Sequence, residues 1–207
     1  MKALKKQGQT PYVIPEGASN ALGAWGYIRA AEELKKDIAS LPGGADDPVT
    51  ITHATGSGGT TAGLILGVRL HRLNARIVGF NVSDDRDYFV RVIGGICEEA
   101  ISTYRLTTSF SRERDIEIVE GYIGRGYALS RPEELDLLCE LARIEGIFLD
   151  PVYTAKAFYG MTQEIRKKPT AFGKRVIFIH TGGLFGLFAK GAELMPHLKS
   201  SSNSSPG

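Results

Sequence analysis

Residues 48–68, PVTITHATGSGGTTAGLILGV, constrain the fold more than any other part of the chain. The first half is apolar or β-branched at successive positions, the pattern of a strand covered on both faces. It then gives way, within residues 53–64, to Gly56, Gly58, Gly59 and Gly63 interleaved with Thr55, Ser57, Thr60 and Thr61, before an apolar helical run. A strand buried on both sides needs helical layers above and below it, and the rest of the chain offers them in alternation. TPYVIP (10–15) reads as a first short strand, followed by a helix carrying Leu22, Trp25, Ile28, Leu34, Ile38 and Leu41, with Ser19 or Asn20 as its N-cap. VTITHAT is the second strand, TTAGLILGVRLHRL a helix and ARIVGFNVS the third strand. RPEELDLLCELARIEG and AKAFYGMTQEIRKK are further helices, and RVIFIHT is the last strand. This order predicts an α/β fold, a three-layer αβα sandwich around a mostly parallel sheet.

Composition narrows the function. The 207 residues are 43% hydrophobic, enough for a sizeable core, and 25 basic against 23 acidic residues leave a net charge of +2. No electrostatic footprint for nucleic acid results. No run reaches the roughly 20 apolar residues that span a bilayer, and MKALKKQGQTPYV lacks an apolar signal core. The expectation is a soluble, cytoplasmic protein with neither nucleic-acid nor membrane partners. Cys97 and Cys139 fit no ligand spacing and read as core or edge thiols. His53, His71, His180 and His197 share no i, i+4 pattern, so no metal is expected, and His180 reads as packed at a strand end.

In parallel sheets ligands sit at the carboxyl ends of strands. Three glycine-containing segments fall there: EGASNALG, TGSGGTTAG and TGGLFG. A strand-to-helix turn presents unpaired N–H groups with the helix dipole behind them, and glycine lets an anion approach that backbone. Hydroxyls of Ser57, Thr60 and Thr61 complete a phosphate cup. The dinucleotide fingerprint fails because Thr61 stands where its third glycine belongs, and no lysine closes a Walker pattern. One compact phosphate is the expected ligand. The alternative is that the glycines serve a tight turn and close packing, with Gly63 and Gly67 against the sheet.

The segments PYVIPEGASNALGAWGYIRAAEEL, TGSGGTTAGL, EGIFLDPVYTAKAFYGM and VIFIHTGG, in that order, resemble the D-cysteine desulfhydrase and 1-aminocyclopropane-1-carboxylate deaminase family, from about Thr10 to about Phe188. These are pyridoxal 5'-phosphate enzymes of fold type II, the tryptophan synthase β-like group. The resemblance implies that Thr55, Gly56, Ser57, Gly58, Gly59 and Thr60 hold the cofactor phosphate and that Tyr153 lies beside cofactor and substrate. It places Thr154 toward the pyridine nitrogen, where deaminases carry glutamate, and makes Thr181 the desulfhydrase version of its site. A neutral hydroxyl leaves the ring a weaker electron sink than a carboxylate would. The pair leans toward α,β-elimination from a small D-amino acid such as D-cysteine, giving a 2-oxo acid, ammonia and sulfide.

The family's Schiff-base lysine and its serine-asparagine motif precede the segment matched here. The resemblance therefore implies a large domain (10–198) without its N-terminal part and small domain, after an N-terminal stretch (1–9) and before a disordered tail (199–207). It also implies that the chain alone does not turn over D-cysteine. Lys156, two positions past Thr154, reads as structural or charge-balancing. Expected partners are a small amino-acid substrate and either a second copy or the N-terminal segment. The alternative functions are a deaminase-like activity and an inactive phosphate-ligand-binding or subunit-pairing chain. GASNA near Gly17 misses the nucleophile elbow because Ala21 replaces its second glycine. DDRDYF reads as a solvated helix start, SFSRERD as a surface turn, and Tyr127 as a weak match to a substrate-side loop.

Overall fold

The computed structural model describes residues 2–199. In order it contains α1 (Lys2–Lys6), a 3-10 turn (Glu16–Ala18), α2 (Trp25–Ser40), β1 (Val49–Thr55), α3 (Gly59–His71), β2 (Ala75–Asn81), α4 (Arg86–Tyr104), α5 (Arg112–Asp115) and β3 (Glu117–Val119). There follow α6 (Pro132–Glu145), α7 (Thr154–Lys167), a 3-10 turn (Pro169–Phe172), β4 (Arg175–Ile179), α8 (Gly186–Ala189) and α9 (Gly191–Lys199). The four strands form one sheet in the order β3-β2-β1-β4, every pair parallel. β1 is central, and all seven of its residues are buried, as its continuous apolar pattern requires. Val49 and Ile51 join a cluster with α2, α3 and α4, while Ala54 joins Ala157 and Met161 of α7 on the opposite face. The sandwich is therefore three-layered, as expected.

α3 is apolar around its circumference, and Thr61 through Val68 are all buried. One sheet cannot cover such a helix, so α2 lies over its other side. A Cβ added at Gly63 would stand 2.4 Å from the Ala24 carbonyl oxygen, and one at Gly67 would stand 2.5 Å from the Ala31 Cβ. These glycines face α2 and not the sheet, a correction to the sequence reading. Filling such a contact costs about 1–3 kcal/mol through displacement of the neighbour.

TPYVIP is not a strand. Pro11 and Pro15 bracket it and remove ladder donors, and Tyr12, Val13 and Ile14 stay exposed. α2 starts at Trp25 and not at Ser19 or Asn20; the Asn20 carboxamide instead accepts from Gly23 N–H at 2.8 Å in a preceding turn. SFSRERD forms the one-turn helix α5, N-capped by Ser111. DDRDYF opens α4 as expected, with Asp85 accepting from Tyr88 N–H at 2.7 Å. α6 carries its signals in the sequence: Pro132 at its first position, Glu134 reaching back to Arg131 N–H, and Gly146 in the left-handed region at its end. β3, α8 and α9 have no clear sequence signature. The tail expected to be disordered falls, from residue 200 on, outside the described residues. Cys97 and Cys139 are buried and unpaired.

His53 points to the same face as Val49 and Ile51 and is fully buried. Its Nδ1 donates to the Ala54 carbonyl, whereas Nε2 meets no partner. Burial holds the ring neutral, its pKa pushed down from 6.5 to about 4. Because the folded value lies below the unfolded one, the unfolded chain takes the proton first. Stability is complete above pH 6.5 and falls by about 3 kcal/mol as pH drops toward 4. Urea unfolding across this window is expected to show that loss, and His53→Gln to remove it.

Candidate cofactor-phosphate site

The strand order reverses direction at β1: α3 carries the chain from β1 to β2 on one side, while β4 lies on the other. Loops leaving the carboxyl ends of β1 and β4 therefore diverge and leave a crevice, the usual ligand position in such sheets. A cavity of about 700 Å³ occupies it, lined among others by Gly56, Ser57 and Thr60 after β1, Thr181 to Gly183 after β4, and Tyr127 and Tyr153. A second cavity, about 500 Å³, lies at the other pole, where Arg69, Arg72 and Arg76 surround the start of β2. It lacks a glycine loop and a strand carboxyl end.

The β1–α3 loop is shaped for close approach. Gly58, the residue before α3, has φ 89°, and a Cβ there would meet Ile93 at 3.1 Å. At Gly59 a Cβ would come within 2.7 Å of the Ser19 hydroxyl. That proximity has a purpose: Ser19 Oγ accepts from Gly59 N–H at 3.1 Å and donates to Ser57 Oγ at 2.7 Å. Ser19 thus caps α3, 40 residues away, and not the helix that follows it in sequence. With its oxygen already accepting, Ser57 has its own O–H free to donate toward a ligand. The first-turn N–H groups of α3 have no acceptor within the helix and carry its positive end. Thr60 lines the cavity. Thr55 and Thr61 do not: both are buried, and their hydroxyls bond each other at 3.2 Å behind the loop. Thr61 therefore leaves the cup that the sequence assigned it to.

The opposite wall is built on Asp150, which sequence reasoning missed. Its buried carboxylate accepts from the N–H groups of Val152, Tyr153 and Thr154 at 2.7–2.9 Å and from the Thr154 hydroxyl at 2.7 Å. It is the N-terminal anchor of α7. Gly183, with φ 91°, packs so closely on this carboxylate that a Cβ would lie 2.6 Å from it, which docks the loop after β4 there. Thr154 is consequently fully buried with its hydroxyl occupied, and it does not line the cavity, whereas Thr181 does. His180 is exposed and not packed as expected; Gly182 N–H donates to its Nδ1 at 3.1 Å, so Nε2 carries the proton and donates to the Phe148 carbonyl at 2.8 Å.

Tyr127, a weak sequence candidate, meets Tyr153. Their hydroxyls share a hydrogen bond and their rings lie edge-on, centroids 5.9 Å apart. That bond, then burial, pushes the Tyr153 pKa up to about 12. Tyr153 is therefore a protonated phenol at neutral pH, able to donate but not to act as a resident phenolate. Among the described residues, the lining holds Glu16 and Asp84 but no lysine, arginine or histidine. An anion here would be met by N–H and hydroxyl donors. Lys156 is fully buried and hydrogen-bonded to loop carbonyls, in keeping with the structural role read from the sequence. No described group of His, Cys, Asp and Glu is arranged for a metal, and no described helix is long and apolar enough to cross a membrane.

A glycine cup at a switch point, facing aromatic hydroxyls across a cavity, is the geometry of a phosphate-binding site in a parallel α/β fold. The chain belongs to the pyridoxal-phosphate-dependent enzymes, whose family profile matches residues 1–182. It is 43% identical over 190 residues to the mitochondrial bifunctional D-cysteine desulfhydrase/1-aminocyclopropane-1-carboxylate deaminase of Arabidopsis thaliana, covering 90% of this chain and 45% of that protein. It is 36% identical to the D-cysteine desulfhydrase of Klebsiella pneumoniae, over 94% of this chain and 56% of that one. The crystal structure of an ACC deaminase homologue superposes with a TM-score of 0.82 at 33% identity, over 95% of this chain and 57% of its own. That of O-ureido-L-serine synthase, at 15% identity and a TM-score of 0.56, shares the fold. The chain thus spans about half the length of the relatives it matches. The convergent N–H and hydroxyl donors of the β1–α3 loop, held where Gly58 and Gly59 pack too closely on Ile93 and Ser19 to carry a Cβ, fit the phosphate of pyridoxal phosphate.

Tyr127→Phe is expected to lower the Tyr153 titration from about 12 toward the ordinary value of 10, read by ultraviolet difference spectroscopy.

Proposed function

We propose that this chain forms the phosphate cup and one wall of the active site of a pyridoxal-phosphate-dependent lyase acting on a small D-amino acid, of the D-cysteine desulfhydrase type. The observation that carries this reading is the Ser19-ordered glycine cup facing the Tyr127–Tyr153 pair across a single cavity. In this reading residues 10–198 are the large-domain portion, and the chain works in the cytoplasm. The loop Gly56, Ser57, Gly58, Gly59 and Thr60 holds the phosphate through its N–H groups and the hydroxyls of Ser57 and Thr60. Thr55 acts from behind, fixing Thr61 and with it the first turn of α3. The bound cofactor would supply the electron sink that weakens bonds at a substrate α-carbon. Thr181, on the cavity wall, takes the side of the pyridine nitrogen, and Thr154 keeps the Asp150 anchor in place. Neither Thr154 nor Thr181 is a carboxylate, and by the family resemblance that pair favours the desulfhydrase reading over a deaminase one. Tyr153 Oη, protonated at neutral pH and oriented by Tyr127, delivers a proton to the leaving sulfur of the substrate.

A second reading, a chain that binds a phosphate ester without performing chemistry, is favoured by one observation: among the described residues, no lysine lines the cavity. One titration tests both. Pyridoxal phosphate added to the purified chain is expected to bind, to be displaced by inorganic phosphate, and to bind about tenfold more weakly to Gly58→Ala. No adduct is expected after borohydride by intact mass, because the Lys156 ammonium is held by carbonyls. Binding indifferent to phosphate and to Gly58→Ala would remove the cup from the proposal, and a borohydride-fixed adduct would remove the second reading.

A further inference from the structure

Lys156 stands in the first turn of α7, and its side chain is fully buried. A buried ammonium is expensive, and an apolar side chain of similar shape usually serves a core better. Here all three of its N–H donors have acceptors: the carbonyls of Ile123, Gly126 and Leu129, the latter two at 2.9 and 2.8 Å. The charge is balanced by Glu134, also fully buried, whose Oε2 accepts from Arg131 N–H at 2.9 Å while Oε1 has no hydrogen-bond partner.

The choice of acceptors is informative. Gly126 and Leu129 are the two ends of a tight turn closed by Leu129 N–H to Gly126 O at 3.1 Å, and the residues between them are Tyr127 and Ala128. Ala128 has φ 57°, a left-handed conformation that a residue with a Cβ keeps only when its surroundings dictate it. Gly124 and Gly126 also have positive φ, so the segment has little stiffness of its own. Among the described residues, the hydrogen bonds tying 123–129 to other parts of the chain are those from Lys156 and the one between Tyr127 and Tyr153. Arg125, in the same segment, is exposed.

We propose that Lys156 is a positioning residue that clamps both ends of the Gly126–Leu129 turn and thereby sets the Tyr127 hydroxyl against Tyr153 at the cavity. The clamp itself stands on geometry alone. Its consequence for the cofactor rests on the function proposed above.

Three readouts test it. In the ligand-free chain, trypsin is expected to cut after Arg125 about tenfold faster in Lys156→Met than in the wild type, because cleavage follows the population of the opened segment. In the same variant the Tyr153 titration is expected to drop as it does in Tyr127→Phe, with no further drop in the double variant. A merely structural lysine would not move that signal. Pyridoxal phosphate is expected to bind Lys156→Met and Tyr127→Phe equally, and both more weakly than the wild type, with displacement by inorganic phosphate unchanged. Arg125 as resistant as in the wild type, or an unaltered Tyr153 titration, would overturn the clamp. Should Lys156→Met not fold, Lys156→Arg replaces it. That variant keeps the charge, but a planar guanidinium does not converge on three carbonyls. It is expected to shift both ligand-free readouts in the same direction, and no shift in either would overturn the proposal. If the wild type binds no pyridoxal phosphate, the proposed function fails while the first two readouts still judge the clamp.

Discussion

The contact on which the rest of the structure depends is the close approach of α2 to α3. Gly63 and Gly67 present bare backbone to Ala24, Ile28 and Ala31, and so α3 can be buried on both sides. This packing fixes the axis of α3 and also brings the segment preceding α2 over the N-terminal end of α3, where the Ser19 hydroxyl meets Gly59 and Ser57. One interface therefore serves stability and site geometry together. A cup made only of a loop would have to be ordered by its ligand; here two hydroxyls and a helix N-terminus are arranged beforehand, the economy that preorganisation brings to binding.

The second wall is organised by charges with no direct contact to the cavity. Asp150 accepts four hydrogen bonds at the start of α7 and seats Gly183 against itself, and Lys156 gathers three carbonyls a few residues further on. These buried ions turn irregular segments into fixed surfaces. Their effect is seen in what faces the cavity: Thr181 on one loop, Tyr127 on another, Tyr153 between them. Thr154 and Tyr153, adjacent in sequence, are divided by the same anchor, one behind the wall and the other in it.

Several errors in reading the sequence share a cause. Ser19 is a good N-cap residue, but the helix that uses it lies 40 positions on, because hydroxyl capping preference does not specify which helix is capped. TPYVIP has strand composition, yet strand formation needs a ladder partner, and two prolines weaken the claim on one. Thr61 sits in a loop rich in donors, but its first-turn position turns it inward to Thr55. Gly63 and Gly67 serve close packing, but against α2 and not the sheet, because periodicity shows that a helix face is small without naming what approaches it. Tyr127 carried little signal because its place depends on positive-φ turns and on a lysine 29 positions away.

Legible from the sequence alone are the succession β1, α3, β2 and the later α6, α7, β4, the double burial of β1, the capping signals of α6 and the glycine-rich turn after β1. Each follows from patterns within one element: side-chain period, turn residues and backbone freedom. Which groups meet at the cavity follows from packing between distant segments: Ser19 with Ser57 over the first turn of α3, Tyr127 with Tyr153, Thr181 in place of Thr154. Those pairings are through-space choices between distant segments, made by how α2 fits on α3 and by where two buried charges find their hydrogen bonds.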